Sequence, residues 1–321
     1  MTRFLLAGLA SILLLAGCDQ GGSSGSGAAS TRPAGTTRVA LIMKARTNPF
    51  FDRMASGAEA AAREAGIDLQ VLAIDRETDH EKQAAQVETV TAQGVGAILI
   101  APADSKAIIA PLLQAQARGI RIINLDNRVD REEADRAGLR IDTFIGPDNE
   151  EGARKSAAAM IEAIGGEGKV AMLEGIRGVD NAEARKRGFL KAVEATGGKI
   201  QVVAMDTGEW ATEPAQKKME SILNTHKDLR GVFCANDMMA LGVIQAIASA
   251  GRTGEIVVSA YDNLEAARQA IKAGRLLATI EQHPDKMGAL GVEAARKLLS
   301  GEQVPDYIPV PTDLVVAADI P

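Results

Sequence analysis

From residue 37 onward, short apolar runs alternate with helix-length amphipathic stretches. The runs "RVALIM", "LQVLAI", "VGAILIA", "RIINLD", "DTFIG", "KVAMLEG", "IQVVAM", "GVFCAND", "EIVVSAYD", "LLATIEQ" and "LVVA" are nearly continuous in Val, Ile, Leu and Ala. A strand with one wet face alternates apolar and polar residues, so unbroken runs predict parallel strands covered on both faces. The stretches between them have helical character. "FDRMASGAEAAAREAG" and "DHEKQAAQVETVTAQG" each end in a Gly suited to a C-cap, and "EPAQKKMESILNTH" sets Met219 and Ile222 on one face. Strand and helix alternate throughout, which predicts an α/β architecture of mostly parallel sheets.

The alternation runs twice, over residues 37 to about 142 and again over about 143 to 262, each half the size of one domain. Later helices and strands let the chain cross back. The expectation is two similar doubly wound parallel-sheet domains joined by a multi-crossover hinge. One lobe is 37–142 plus 283–310, and the other is 143–282 plus 311–321. Two such lobes make a cleft, and ligands of open α/β sheets bind just beyond the strand C-termini.

Those positions are rich in groups that recognise hydroxyls. Lys44 and Asn48-Pro49-Phe50-Phe51 follow the first run, Asp104-Ser105 the third, and Asp126-Asn127-Arg128 the fourth. Asn236-Asp237, Tyr261-Asp262-Asn263 and Glu281-Gln282-His283 follow later ones. Amides and carboxylates offer fixed donors and acceptors, and aromatic faces suit the C–H faces of a sugar ring. Asn and Asp at strand ends also serve as helix caps; that reading is preferred for Asp104-Ser105 and Asp237.

The N-terminus adds a location. "MTRFLLAGLASILLLAGC" has one Arg, an apolar run of about 14 residues and small residues before Cys18. That run is shorter than the ~20 residues of a membrane span and reads as the core of a signal peptide, residues 1–17. "LAGC" resembles the lipobox of bacterial lipoproteins, which makes Cys18 a lipid anchor. Residues 18–36 then hold the lipidated Cys and a Gly/Ser-rich tether that cannot bury enough surface to fold.

Composition narrows the class further. A net charge of −6 without a basic block argues against nucleic acid. Beyond Cys18 the body holds one Cys, Cys234, in an apolar run, so it has neither an internal disulfide nor a thiol pair for metal. Three His, no zinc spacing and a "GGEGKV" lacking the GxxxxGK(S/T) spacing leave no recognisable enzyme site. No cofactor is expected.

The motifs "NPFF", "APADS", "NLDN", "NAEARKRGF", "CANDMMALG" and "ATIEQHPDKMGALG" occur in this order over 37–321. Together they resemble the periplasmic sugar-binding proteins of ABC importers, of the ribose/allose type. "VALIMKARTNPFF", "NLDNRVDREEADRAG" and "EWATEPA" resemble the D-allose-binding member more than the ribose-binding one. The resemblance implies a monosaccharide held by hinge closure and passed to an ABC permease by a monomeric, exported, lipid-anchored protein. It implies ring faces covered by Phe51, with Phe50 beside it, and by Trp210. Asp126 would accept from hydroxyls and Arg185 would donate, with Asn48, Asn236, Asp262 and Gln282 as further polar ligands. Lys44 matches a Lys of the allose type. Asn127 departs from both types, and Tyr261 from the allose type, at positions expected to touch the sugar. Lactose-type repressors share this body but need an N-terminal helix-turn-helix, where this chain has a lipobox and tether. A sugar-sensing receptor or a polyol-binding relative remains the alternative.

Overall fold

The apolar runs become strands and the amphipathic stretches helices in the computed structural model, which describes residues 38–321. The signal segment, Cys18 and the tether lie outside the described residues. The chain begins β1 (Arg38–Ala45), α1 (Pro49–Ala65), β2 (Asp68–Ile74), α2 (His80–Ala92), β3 (Ala97–Ile100), α3 (Ile109–Ala117), β4 (Arg121–Leu125), α4 (Arg131–Ala137), β5 (Thr143–Pro147). It continues α5 (Asn149–Ala163), β6 (Gly168–Glu174), α6 (Asp180–Glu194), β7 (Ile200–Thr207), α7 (Thr212–Thr225), β8 (Leu229–Cys234), α8 (Asp237–Ser249), β9 (Val257–Ser259), α9 (Glu265–Lys272), β10 (Ala278–Glu281). It ends α10 (Pro284–Leu299), β11 (Tyr307–Val310), β12 (Asp313–Val316) and a 3-10 turn at Ala317–Asp319.

Two six-stranded sheets result, in the orders β11-β5-β4-β3-β1-β2 and β12-β10-β9-β8-β6-β7. Every pairing is parallel except β10 with β12. The cause is visible in burial: β1 is buried at all but its first residue and β3 throughout. Each large aliphatic side chain removed from water contributes about 1.5–3 kcal/mol, and helices on both faces supply the cover. The fold is the expected pair of parallel-sheet α/β lobes.

The chain changes lobe at three places. α5 follows β5 but packs on β8, β9 and β10, whereas α10 follows β10 but packs on α1 and on β3, β4 and β5. β11 joins the first sheet beside β5, and β12 the second beside β10. The division expected at 142/143 therefore needs moving. Thr143 pairs with Ile123 and Phe144 with Asn124, so β5 belongs to the first sheet and the first crossing follows Pro147. An apolar run reveals that a strand is buried, not which sheet it joins.

Candidate functional site

Twelve residues line one pocket of about 240 Å³ between the lobes. Lys44, Asn48, Phe50, Phe51, Glu77 and Asp126 come from the first lobe; Asn181, Arg185, Trp210, Asn236, Asp262 and Gln282 come from the second.

The first wall is built by the cap of α1. Asn48 is its N-cap: Oδ1 accepts from Phe50 N (3.1 Å) while Pro49 starts the helix. The first turn then carries Phe50 and Phe51, whose rings meet edge to face at 5.1 Å. The amide left over donates from Asn48 Nδ2 to Glu77 Oε1 (3.2 Å), and Lys44 Nζ stands 3.5 Å from Glu77 Oε2. Lys44, fully buried, thus answers a carboxylate that enters from the loop after β2.

Asp126 sits at the end of β4 in a left-handed backbone, φ 59°. Asn127 N donates to Leu125 O (2.7 Å), closing a tight three-residue turn around it. Its carboxyl is buried, and Oδ1 has no hydrogen-bond partner in the protein.

Arg185, on α6, is held from every side. Nε donates to Asn149 Oδ1 (2.9 Å), Nη1 to Ala235 O (2.7 Å) and Nη2 to Gln282 Oε1 (3.1 Å). Nη1 also lies 3.5 Å from Asp262 Oδ1, and Gln282 Nε2 donates to the same oxygen at 2.6 Å. The guanidinium lies 3.8 Å from the centre of the Tyr261 ring and 5.4 Å from that of Trp210. Asn236 caps α8 through Oδ1, which accepts from Met239 N (2.9 Å), and its Nδ2 donates to Trp210 O (3.2 Å). The Trp210 indole fits only because residue 175 is Gly: a Cβ there would stand 2.1 Å from Cζ2. Trp210 Nε1 is buried without a partner.

Backbone strain gathers here. Among the described residues, the positive-φ positions other than Gly are Asp126, Glu209, Trp210, Asp262, Asn263 and His283. Each lines the pocket or adjoins a residue that does. Such conformations cost on the order of 1–3 kcal/mol each and persist where the surroundings impose them.

Burial also sets the electrostatics. It pushes the carboxyls of Glu77 and Asp126 above their ordinary range, opposed for both by the Lys44 charge and for Asp126 also by Arg185. It pushes Asp262 well up, against the Arg185 charge. Two cations face three carboxylates, a formal balance of −1 with all five ionised. Among the described residues, no group of three or more His, Cys, Asp or Glu is placed to hold a metal ion.

The pocket brings together Lys44, Asn48, Phe50, Phe51, Asp126, Arg185, Trp210, Asn236, Asp262 and Gln282. Two expected contacts lie outside its lining. Asn127 turns away to bond Pro102 O, and Tyr261 lies behind Arg185 as the surface on which its guanidinium stacks. Both neighbours stand at turns, where each lining Asp has a positive φ, so nearness in sequence does not give a shared direction. Two lining residues were not anticipated, Glu77 and Asn181. Glu77 stands in the loop after β2 and Asn181 in the first turn of α6. Asp237 is not the cap of α8 either; it accepts from Leu264 N (2.8 Å) and Thr279 Oγ1 (2.7 Å) behind the pocket.

A family model described as a periplasmic binding protein domain matches residues 39–303. The chain belongs to this family. Among relatives of this periplasmic binding protein, the D-ribose/D-allose-binding protein of Pseudomonas aeruginosa is 37% identical over 87% of the chain and 89% of the relative. The D-allose-binding periplasmic protein of Escherichia coli is 31% identical over 89% and 94%. A periplasmic solute-binding protein of an ABC transporter from Actinobacillus succinogenes, solved with bound D-allose, superposes with a TM-score of 0.84 at 38% identity. That match covers 88% of this chain and 99% of the other. These relatives of the periplasmic binding protein are solute-binding proteins and not enzymes.

Proposed function

We propose that this periplasmic binding protein captures a monosaccharide, D-allose, D-ribose or a closely related sugar, and delivers it to the membrane subunits of an ABC importer. The observation that carries this reading is the pair of buried pocket atoms without a protein partner, Asp126 Oδ1 and Trp210 Nε1. An unmet buried polar group costs about 1–3 kcal/mol, more when charged, and ligand hydroxyls placed there would remove that cost. A neutral polyhydroxyl ligand suits the pocket, because its hydroxyls can meet Asp126 without bringing a further charge into a site whose burial already disfavours ionised carboxyls. Phe51 and Trp210 cover the apolar faces of the ring, and Arg185, fixed by its own bonds, donates without reorganising. The lobes close over the sugar by hinge bending, the motion general to periplasmic binding proteins.

A thermal-shift screen over aldohexoses, pentoses, ketohexoses, inositols and alditols tests the reading, followed by titration on the emission of Trp210, the single Trp. D-allose or D-ribose should raise the melting temperature and change the emission. A body indifferent to the whole panel would refute the reading, and a response to inositols alone would move it to a polyol. Anchoring is part of the proposal: a lipid on Cys18 holds the monomeric body to the outer face of the cytoplasmic membrane. Cys18→Ala should move the protein from the membrane to the soluble fraction after cell fractionation; an unchanged distribution would refute the anchor.

A further inference from the structure

Three consecutive residues after β4 attach to three different parts of the molecule. Asp126 lines the pocket. Asn127, fully buried, donates from Nδ2 to Pro102 O (2.9 Å) and accepts at Oδ1 from the backbone N–H of Asn181, in the other lobe (3.0 Å). Arg128 lies 3.7 Å from the centre of the Phe144 ring and 5.0 Å from that of Tyr307, on β5 and β11 where the chain passes between lobes.

The partner of Asn127 is the start of α6. The first N–H groups of a helix have no acceptor within it, and a side chain just before it ordinarily supplies one. The N-cap of α6 is Val179, which makes no such bond. Instead Asp180 N donates to Ser105 Oγ (3.1 Å) and Asn181 N to Asn127 Oδ1, both acceptors standing in the first lobe. Asn127 Nδ2 also lies 3.4 Å from Ser105 Oγ, which ties the two caps together.

We propose that Ser105 and Asn127 form an interlobe latch, capping α6 from across the cleft only when the lobes are closed and thereby setting how long the sugar is held. The proposal rests on the binding function argued above. Opening withdraws α6 from its caps and leaves two N–H groups to water. Closing restores them, on the helix that carries Asn181 and Arg185 and beside the turn that carries Asp126. Sugar contacts and latch therefore form together, although neither Ser105 nor Asn127 lines the pocket. A residue that favours only the closed form acts on apparent affinity through the closed fraction, and chiefly on dissociation.

The test uses Ser105→Ala and Ser105→Thr in the mature chain, with D-allose and D-ribose as probes, by calorimetric titration and stopped-flow Trp210 fluorescence. Loss of one cap should weaken both sugars by the same factor, roughly three- to thirtyfold, through faster dissociation. The melting temperature without sugar should stay put, and Ser105→Thr, which keeps the hydroxyl, should restore binding. Unchanged affinities would overturn the latch, as would a loss confined to one sugar, which marks a pocket contact. A lowered sugar-free melting temperature that threonine does not rescue would also overturn it, as a merely structural role. A wild type that binds neither sugar overturns the binding reading itself and removes the premise of the latch.

Discussion

Replacing Gly175 with alanine would test the pocket through a residue that offers it no side chain. The added Cβ would stand 2.1 Å from Trp210 Cζ2, 2.3 Å from Cη2 and 2.4 Å from Cε2. Carbon atoms settle at about 3.5–4.0 Å, so the indole or the end of β6 has to move by about 1.5 Å. The end of β6 is held, since Thr207 Oγ1 donates to Gly175 O (2.7 Å) and Gly208 N to Glu174 O (3.0 Å). The indole is therefore the part that yields, and it yields toward the pocket or the Arg185 guanidinium. Overpacking of this kind costs about 1–3 kcal/mol, and where it falls on the bound form the affinity drops by about five- to a hundredfold. Because Trp210 is the only Trp, one fluorescence titration reads both the displaced ring, as a shifted emission in the sugar-free protein, and the weakened binding. Wild-type emission and wild-type affinity in Gly175→Ala would refute the reasoning, since they would mean that the indole does not depend on the space left by Gly175.

Three further outcomes follow from the same geometry. Lys44→Met leaves Glu77 buried without its cation and should destabilise the protein by about 3–5 kcal/mol at neutral pH; because Glu77 is already pushed toward its neutral form by burial, the loss in melting temperature should shrink on going from pH 7.5 to pH 5, and a deficit independent of pH would count against the pair. Arg185→Lys keeps the charge but loses the fork that holds Asn149, Ala235 and Gln282 and the stacking on Tyr261. Calorimetry should show binding weakened about ten- to a hundredfold, the value of one or more bonds to a charged group, and near-normal affinity would argue against a fixed guanidinium. Burial pushes the Asp237 carboxyl up from 3.8 to about 7. Between those values the folded protein keeps a proton that the unfolded chain has released, so this group's contribution to stability is greatest below about pH 4 and falls as pH rises toward 7. The stability difference between wild type and Asp237→Asn, from urea melts, should change in that direction across the window; a flat difference would refute the assignment.

Much of the site was legible because one rule places ligands at strand C-termini and the chain puts its amides, carboxylates and paired Phe there. Asn48, Asp126, Asn236, Asp262 and Gln282 all follow apolar runs by one or a few residues. The resemblance added Trp210, which stands in the loop after β7, and Arg185, which lies inside α6. Glu77 and Asn181 give no signal of their own, because a charged residue in a loop and a polar one in the first turn of a helix are ordinary. Only the fold shows that this loop and the start of α6 reach the pocket, with Glu77 sealed under Lys44. The failures at Asn127 and Tyr261 have a common form: each adjoins a lining Asp, and adjacency in sequence does not give direction in space. Gly175 carried no signal at all. A glycine after a strand reads as a turn, and the indole that needs its missing side chain lies 35 positions later, 210 − 175.

The backbone at the pocket shows why these residue types stand where they do. Asp126, Trp210 and Asp262 occupy φ of 59°, 63° and 123°, conformations that glycine adopts at no steric cost. Glycine at any of them would relieve the strain, and local stability alone would favour it. Each instead carries a side chain into the lining of the pocket, and two of the three leave a buried polar atom without a protein partner. Asp126 and Trp210 thus bear two separate costs, one in the backbone and one in unmet hydrogen bonding. The surrounding fold sustains the first through bonds such as Asp126 N to Ile145 O (3.0 Å) and Asp262 N to Ile280 O (2.9 Å), which tie each turn to the neighbouring strand. It offers nothing against the second. A ligand bearing hydroxyls at those points removes it, so the buried pocket is favoured with such a ligand inside it and disfavoured when it is empty.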